Sequence, residues 1–309
     1  EYLRLAGEYA AFLDPDVVVV GFLIGNDCPV SPPPRVWSEE DFRAEVRKYC
    51  GTGKEGAVMR SVRRSLFLRL TRMAYYRLNR LGELTLTASR GPLSDEPNPF
   101  EPRLSGALEG HTDPQTLQQR RHMLEKSGWI GRALRWEVNP WLIRTILLFP
   151  TGAADALALR PETLPAMQSE WRLCQAILLA MKDATERNGS RFVVLSIPSA
   201  YQVSAECVEF LRQVDCAAPD EMLEERIVND WLAAFCQEHD VLCVDPLEAL
   251  REEARKGRRL YYVYDAHLSA AGHEILGHML ADALAPCLNG RREAAGRPPW
   301  RPGRSAEHP

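Results

Sequence analysis

Val17-Val18-Val19-Val20 is a run of four β-branched residues that continues past Gly21 through Phe22, Leu23 and Ile24 until Gly25-Asn26-Asp27 stops it. A short, almost unbroken apolar run bounded by turn residues reads as a strand covered on both faces, as in a parallel sheet. Two more runs follow: Arg191 to Ile197, closed by Pro198, and Val241 to Val244, closed by Asp245-Pro246. Helical stripes lie between and after them. Trp171, Cys174, Ile177, Leu178 and Met181 share one face of a helix over Glu170–Glu186, with Gly189 as its C-cap. Met222, Ile227, Trp231, Ala234 and Phe235 form a second stripe. Ile275, Leu276, Met279, Leu280 and Leu284 form a third, opened by Ser269 as N-cap and ended by Pro286. Strands alternating with helices predict an α/β fold: a doubly wound, mostly parallel sheet flanked by helices in three layers.

About 140 residues without a convincing strand separate the first strand from the helix at Glu170, far more than an ordinary crossover. The expected organisation is therefore a sheet domain from residues 1–29 and 160–288, a large helical insertion or cap over 30–159, and a disordered tail over 289–309. That tail holds five arginines and four prolines. Within the insertion, Ala57 to Gly82 carries seven arginines and no acid. A basic amphipathic helix lying on an anionic membrane or partner is one reading of that stretch. A helix packed on the domain with its arginines solvated or paired is the other, since its apolar stripe is no wider than core packing requires. Asp95 to Arg120 reads as a surface loop.

A net charge of −4, from 38 basic and 42 acidic residues, argues against a whole-molecule grip on nucleic acid. No apolar run reaches the roughly 18 residues that span a bilayer. Eight cysteines without a C-x-x-C pair give no metal-ligand spacing and read as reduced and structural, Cys174 and Cys236 lying in apolar helical patterns. No compartment can be read from the chain.

In an open α/β sheet, sites form at the carboxyl ends of the strands. The first strand delivers Gly25-Asn26-Asp27 there. An asparagine amide is a neutral, fixed donor suited to an oxyanion, and a glycine beside it lets backbone approach the reacting centre. The same triplet is also ordinary turn chemistry. Near the other end stands Tyr264-Asp265-Ala266-His267-Leu268-Ser269-Ala270-Ala271-Gly272-His273. Asp265 is close enough to hold one ring nitrogen of His267, leaving the other to take a proton from a nucleophile. Alternatively, Asp265 caps a turn and His267 is a loop histidine. His273 reads as a capping or packing residue and His278 as surface.

Taken together, a buried strand ending in Gly-Asn-Asp, a middle strand ending in Ile197-Pro198, and the late Asp-x-His-Leu-Ser-x-x-Gly-His block resemble the SGNH (GDSL-type) hydrolases. The resemblance covers Glu1 to Asp27 and Leu164 to Leu284. It implies Asn26 as oxyanion-hole donor supported by Gly25 and Asp27, His267 as general base and Asp265 as its orienting acid. It calls for no cofactor and no metal. The family's usual Gly-x-Asn-Asp has Ile24 at its glycine position here. Asp-x-His replaces the commoner Asp-x-x-His, as in the branch that includes bacterial polysaccharide O-acetylation proteins.

The family's nucleophilic serine sits in a Gly-Asp-Ser segment ahead of these elements, and this chain contains none. Its first serine, Ser31, follows the asparagine block, and Ser196 and Ser199 end the wrong strand. Because the first residue is Glu1, the simplest expectation is an N-terminally truncated product; the alternative is a pseudo-enzyme that lost the strand. Losing a triad serine costs on the order of 10⁶ in turnover, so the chain as it stands is expected to be inactive on esters and poorly soluble. The expected function of the complete protein is hydrolysis of an acyl or acetyl ester on a small molecule, lipid or glycan through an acyl-enzyme. The alternatives are an O-acetyltransferase acting on a polysaccharide, a non-catalytic binding domain, and a basic-helix adaptor.

Overall fold

The computed structural model describes residues 15–24, 27 and 114–294. Gly25, Asn26, the basic stretch 57–82 and residues 295–309 lie outside them. By its contacts the chain divides into two compact units. One comprises Glu1–Val18, Trp37–His111 and Arg172–Phe192; the other comprises Val19–Val36, Thr112–Trp171 and Val193–Pro309.

Among the described residues three strands, β1 (Val17–Leu23), β2 (Arg191–Ile197) and β3 (Leu242–Val244), form one sheet in the order β1-β2-β3. β2 and β3 run parallel with Val193 opposite Leu242, Val194 opposite Cys243 and Leu195 opposite Val244. The chain is thus α/β with a small parallel sheet, as the strand patterns predict. Burial refines the expectation. β2 is buried from Phe192 to Ser196, whereas β1 is only half-buried over Val17–Val20. The difference matches position among the described strands, where β2 lies between two neighbours and β1 at the end of the order.

In the first unit, Arg191 N–H donates to the Asp16 carbonyl (3.0 Å) and Ser190 Oγ to the Pro15 carbonyl (2.6 Å). The helix before β2 ends as the sequence predicts, on Gly189 at φ +80°.

The second unit holds most of the described helices. α1 (Pro114–Lys126), α2 (Trp129–Leu134), α3 (Pro140–Leu148) and α4 (Gly152–Ala156) precede α5 (Leu164–Glu186), which passes into the first unit. α1 begins inside the stretch read as loop: Pro114 stands at a helix start, where its missing N–H costs nothing, and helix-forming residues follow it. α5 starts six residues before Glu170, at Leu164. After β2 come α6 (Ala200–Val203), α7 (Ala205–Gln213) and α8 (Ile227–Glu238); after β3 come α9 (Leu247–Arg255) and α10 (Ala270–Ala294).

On α8 the buried face is Val228, Leu232, Phe235 and Cys236, and Ala234 is exposed. The predicted stripe is rotated because Asn229 must also turn inward. Its Nδ2 donates to Ser196 Oγ (3.2 Å) and Asp245 Oδ1 (3.1 Å), and its Oδ1 accepts from Gln202 Nε2 (2.9 Å). Buried polar atoms left without partners would cost about 1–3 kcal/mol each, so the network sets the helix's rotation.

α10 runs through Pro286 to Ala294 rather than stopping there, so the first residues of the expected tail are helical. One proline removes a single backbone bond and crowds one carbonyl, which a long helix can absorb as a kink. Ser269 caps α10 as predicted, its Oγ accepting from Gly272 N–H (3.3 Å). Leu276, with Ile275, Met279 and Leu280 beside it, packs on a core formed by Leu195, Val244, Leu247, Leu250, Leu260 and Tyr261.

Candidate functional site

Between β3's helix α9 and α10 the chain makes a short hairpin-like loop that carries the candidate pair. Tyr261 and Leu268 form an antiparallel bridge, Tyr262 N–H donates to the His267 carbonyl (2.9 Å), and Ser269 N–H to the Leu260 carbonyl (2.8 Å). The buried Tyr261 hydroxyl donates to the Pro198 carbonyl (2.6 Å), tying the loop to the chain just beyond β2. Burial pushes the Tyr261 phenol far above its ordinary range, so it stays a donor at every working pH. At the tip, Asp265 and Ala266 both donate their N–H to the Tyr262 carbonyl, and Ala266 adopts φ +59°. That left-handed residue folds Asp265 and His267 back on each other.

His267 Nδ1 stands 3.1 Å from Asp265 Oδ2 and 3.1 Å from the Asp265 carbonyl. Both acceptors lie on Nδ1, so the neutral ring carries its proton there, and Nε2 makes no hydrogen bond among the described residues. The other carboxylate oxygen, Asp265 Oδ1, accepts from Asn139 Nδ2. Asn139 also donates its backbone N–H to the Tyr264 carbonyl (2.9 Å) and accepts from Trp141 N–H (2.9 Å) as the N-cap of α3. The result is a three-residue relay, Asn139 to Asp265 to His267, anchored at a helix start. The imidazole remains 70% exposed and the carboxylate 40%, so the pair is open to solvent and to a substrate.

Asn139 is the residue the sequence reading missed. It lies within 30–159, the stretch outside the resemblance. Its signal was present: an asparagine followed by Pro140 is a helix-start signature, but nothing local says which carboxylate the amide faces.

Beside the relay, Tyr264 packs edge-on against Phe210 (5.3 Å between centroids) and near Trp129 (6.0 Å), with the Arg132 guanidinium 4.7 Å from its ring centre. A groove of about 970 Å³ borders Asp265, Asn139 and Tyr264.

The remaining sequence candidates separate from this centre or lie outside the described residues. Gly25 and Asn26 are among the latter. Asp27 closes the turn after β1: its Oδ2 accepts from Leu23 N–H (2.8 Å) and its own N–H donates to the Leu23 carbonyl (3.0 Å). Burial raises its carboxyl above the usual range, with the Leu23 bond acting against the shift. Ser196 is buried and accepts from Asn229, and Ser199 caps α6 in a capping box with Gln202. Ser269 Oγ donates to the Arg259 carbonyl (2.8 Å). These three serines have structural duties. His273 points Nδ1 at the Ser269 carbonyl (2.9 Å), one turn back on its own helix, and His278 is exposed. No disulfide joins the described cysteines, and burial holds the Cys207 and Cys216 thiols up at about 11. No cluster that could hold a metal occurs among the described residues.

Searched as a whole, the chain matches no protein-family model, no curated protein and no solved structure.

Proposed function

We propose that this protein is an SGNH-type ester hydrolase, on a doubly wound sheet, with His267 as general base and Asp265 as its orienting acid. The observation that carries the reading is the Asn139–Asp265–His267 relay. A carboxylate on Nδ1 fixes the tautomer, leaves Nε2 as the proton acceptor and stabilises the imidazolium that forms as a nucleophile attacks. Asn139 contributes by holding the carboxylate's second oxygen, so the acid cannot swing away from the ring.

In the reaction, His267 Nε2 takes the proton of a serine hydroxyl as its oxygen adds to the ester carbonyl, then returns it to the leaving alcohol as the acyl-enzyme forms. Water, activated by the same nitrogen, releases the acid. Asn26 is the donor the reading places on the oxyanion. The reading calls for a serine of the family's Gly-Asp-Ser type, a motif that does not occur in the 309 residues. Passing the acyl group to a sugar hydroxyl in place of water uses the same parts, and product analysis with an added glycan acceptor separates the two.

The test is p-nitrophenyl acetate turnover by the protein expressed from its intact gene, wild type against His267→Ala. The reading predicts a loss of at least about 10³-fold in turnover at unchanged melting temperature, as expected when a triad member is removed. Equal rates in the two proteins would overturn it.

A further inference from the structure

Five large hydrophobic side chains stand exposed among the described residues: Leu134, Trp136, Trp141, Tyr262 and Tyr264. The four aromatic ones all line the groove that borders Asp265. Scattered exposed apolar residues need no explanation, but convergence of all four exposed tryptophans and tyrosines of the described residues on one cleft does.

Trp136 adds a second, independent oddity. α2 ends in a Schellman motif, with Trp136 N–H donating to the Ala133 carbonyl (3.0 Å) and Glu137 N–H to the Arg132 carbonyl (3.0 Å). The residue between must be left-handed, and Trp136 sits at φ +59°. The same motif is filled by Gly189 after α5 and Gly257 after α9, and by Asp215 after α7 and Asp240 after α8. Glycine and aspartate are residues that tolerate this conformation; a bulky tryptophan is not. Here a strained backbone presents an indole that is 66% exposed, which neither packing nor capping requires.

The polar lining indicates the occupant. The groove's glutamates are each matched already: Glu137 by Arg135 (2.7 Å), Glu206 by Arg259 (3.3 Å) and Glu209 by Arg212 (3.6 Å). Asp265, held by the Asn139 amide and the neutral imidazole of His267, leaves the lining net negative, which disfavours an anionic ligand. Ion-paired carboxylates and the amides of Asn139 and Gln213 would be poor neighbours for an acyl chain. They are good hydrogen-bond partners for hydroxyl groups, while flat rings suit the C–H faces of pyranoses. A volume of about 970 Å³ admits a ligand of several rings.

We infer that this groove binds an uncharged oligosaccharide, stacked on Trp136, Trp141 and Tyr262 and running up to Asp265. Only the further statement that this glycan carries the ester rests on the acyl-transfer reading; the binding does not.

The experiment is isothermal titration calorimetry of the protein with three uncharged hexasaccharides (of glucose, N-acetylglucosamine and mannose) and with hexagalacturonate as the anionic counterpart. At least one uncharged hexamer binds, and Trp136→Gly and Trp141→Ala each weaken it tenfold or more. Glycine suits the left-handed position, so Trp136→Gly melts within a few degrees of wild type, and lost affinity cannot be assigned to unfolding. No binding by any uncharged hexamer, binding insensitive to both substitutions, or equal affinity for hexagalacturonate would overturn the inference. Loss of ester turnover in His267→Ala without change in glycan affinity would leave both readings standing, whereas glycan binding by a protein whose turnover ignores His267 would sink the hydrolase reading alone.

Discussion

Asp265 is held from two sides, by His267 on one oxygen and Asn139 on the other, and a residue two places away in sequence does the first job while one more than a hundred places away does the second. Asp265 and His267 could be paired from the sequence because a two-residue spacing brings side chains together with a single unusual backbone angle. Asn139 could not, because only folding brings α3's first turn to this loop. Asp27, at the other end of the chain, shows how the same residue type serves a turn. Its carboxyl is raised by burial, so the folded protein binds that proton more tightly than the unfolded chain does. Stability from the protonated form is present at low pH and is lost as pH rises through the raised value, which makes the ionised group a burden at neutrality. Asp27→Asn, which keeps an acceptor for Leu23 N–H, should therefore raise the melting temperature at pH 7. The gain should vanish below about pH 4, where unfolded aspartate is itself protonated. A gain that persisted at low pH would show that burial of charge is not its cause.

At the scale of elements, the Asp-x-His-Leu-Ser-x-x-Gly-His stretch is a tight turn, a strand bridge and a capped helix start in succession, and its glycine has a mechanical reason. A Cβ on Gly272 would lie 2.5 Å from the Leu260 carbonyl oxygen and 2.6 Å from a Leu268 methyl. Gly272 thus lets the first turn of α10 lie against the backbone that enters the loop. Alanine would gain up to about 1 kcal/mol of helix propensity there. The clash with a fixed carbonyl outweighs it, and Gly272→Ala is expected to destabilise by about 1–3 kcal/mol net in urea unfolding. A neutral or stabilising result would mean that the helix start does not press on Leu260. The other end of α10 was misjudged from sequence because Pro286 acts through one lost bond, while the helix is fixed by the face it packs on the core.

At the scale of the molecule, acid, base and groove belong to one compact unit, assembled from Thr112–Trp171 and Val193–Pro309 together with the end of β1. The serines described near the strand ends are committed to caps and buried hydrogen bonds, and the chain contains no Gly-Asp-Ser. A serine-directed fluorophosphonate should accordingly leave the 309-residue chain unlabelled. Labelling that disappears with His267→Ala would reveal a nucleophile elsewhere in it. Local chemistry fixed what the amino acids announce over a few residues: the β-branched runs that pair as strands, the glycine and serine that end and begin helices, and an acid two positions from a histidine. Tertiary structure alone decided what depends on surfaces meeting across the chain: which face of α8 turns inward, which amide clamps Asp265, and that Trp136, Trp141, Tyr262 and Tyr264 border one groove. Hydrogen bonding and backbone preference act between near neighbours and leave a local signature, whereas burial and side-chain pairing depend on distances that sequence separation does not set.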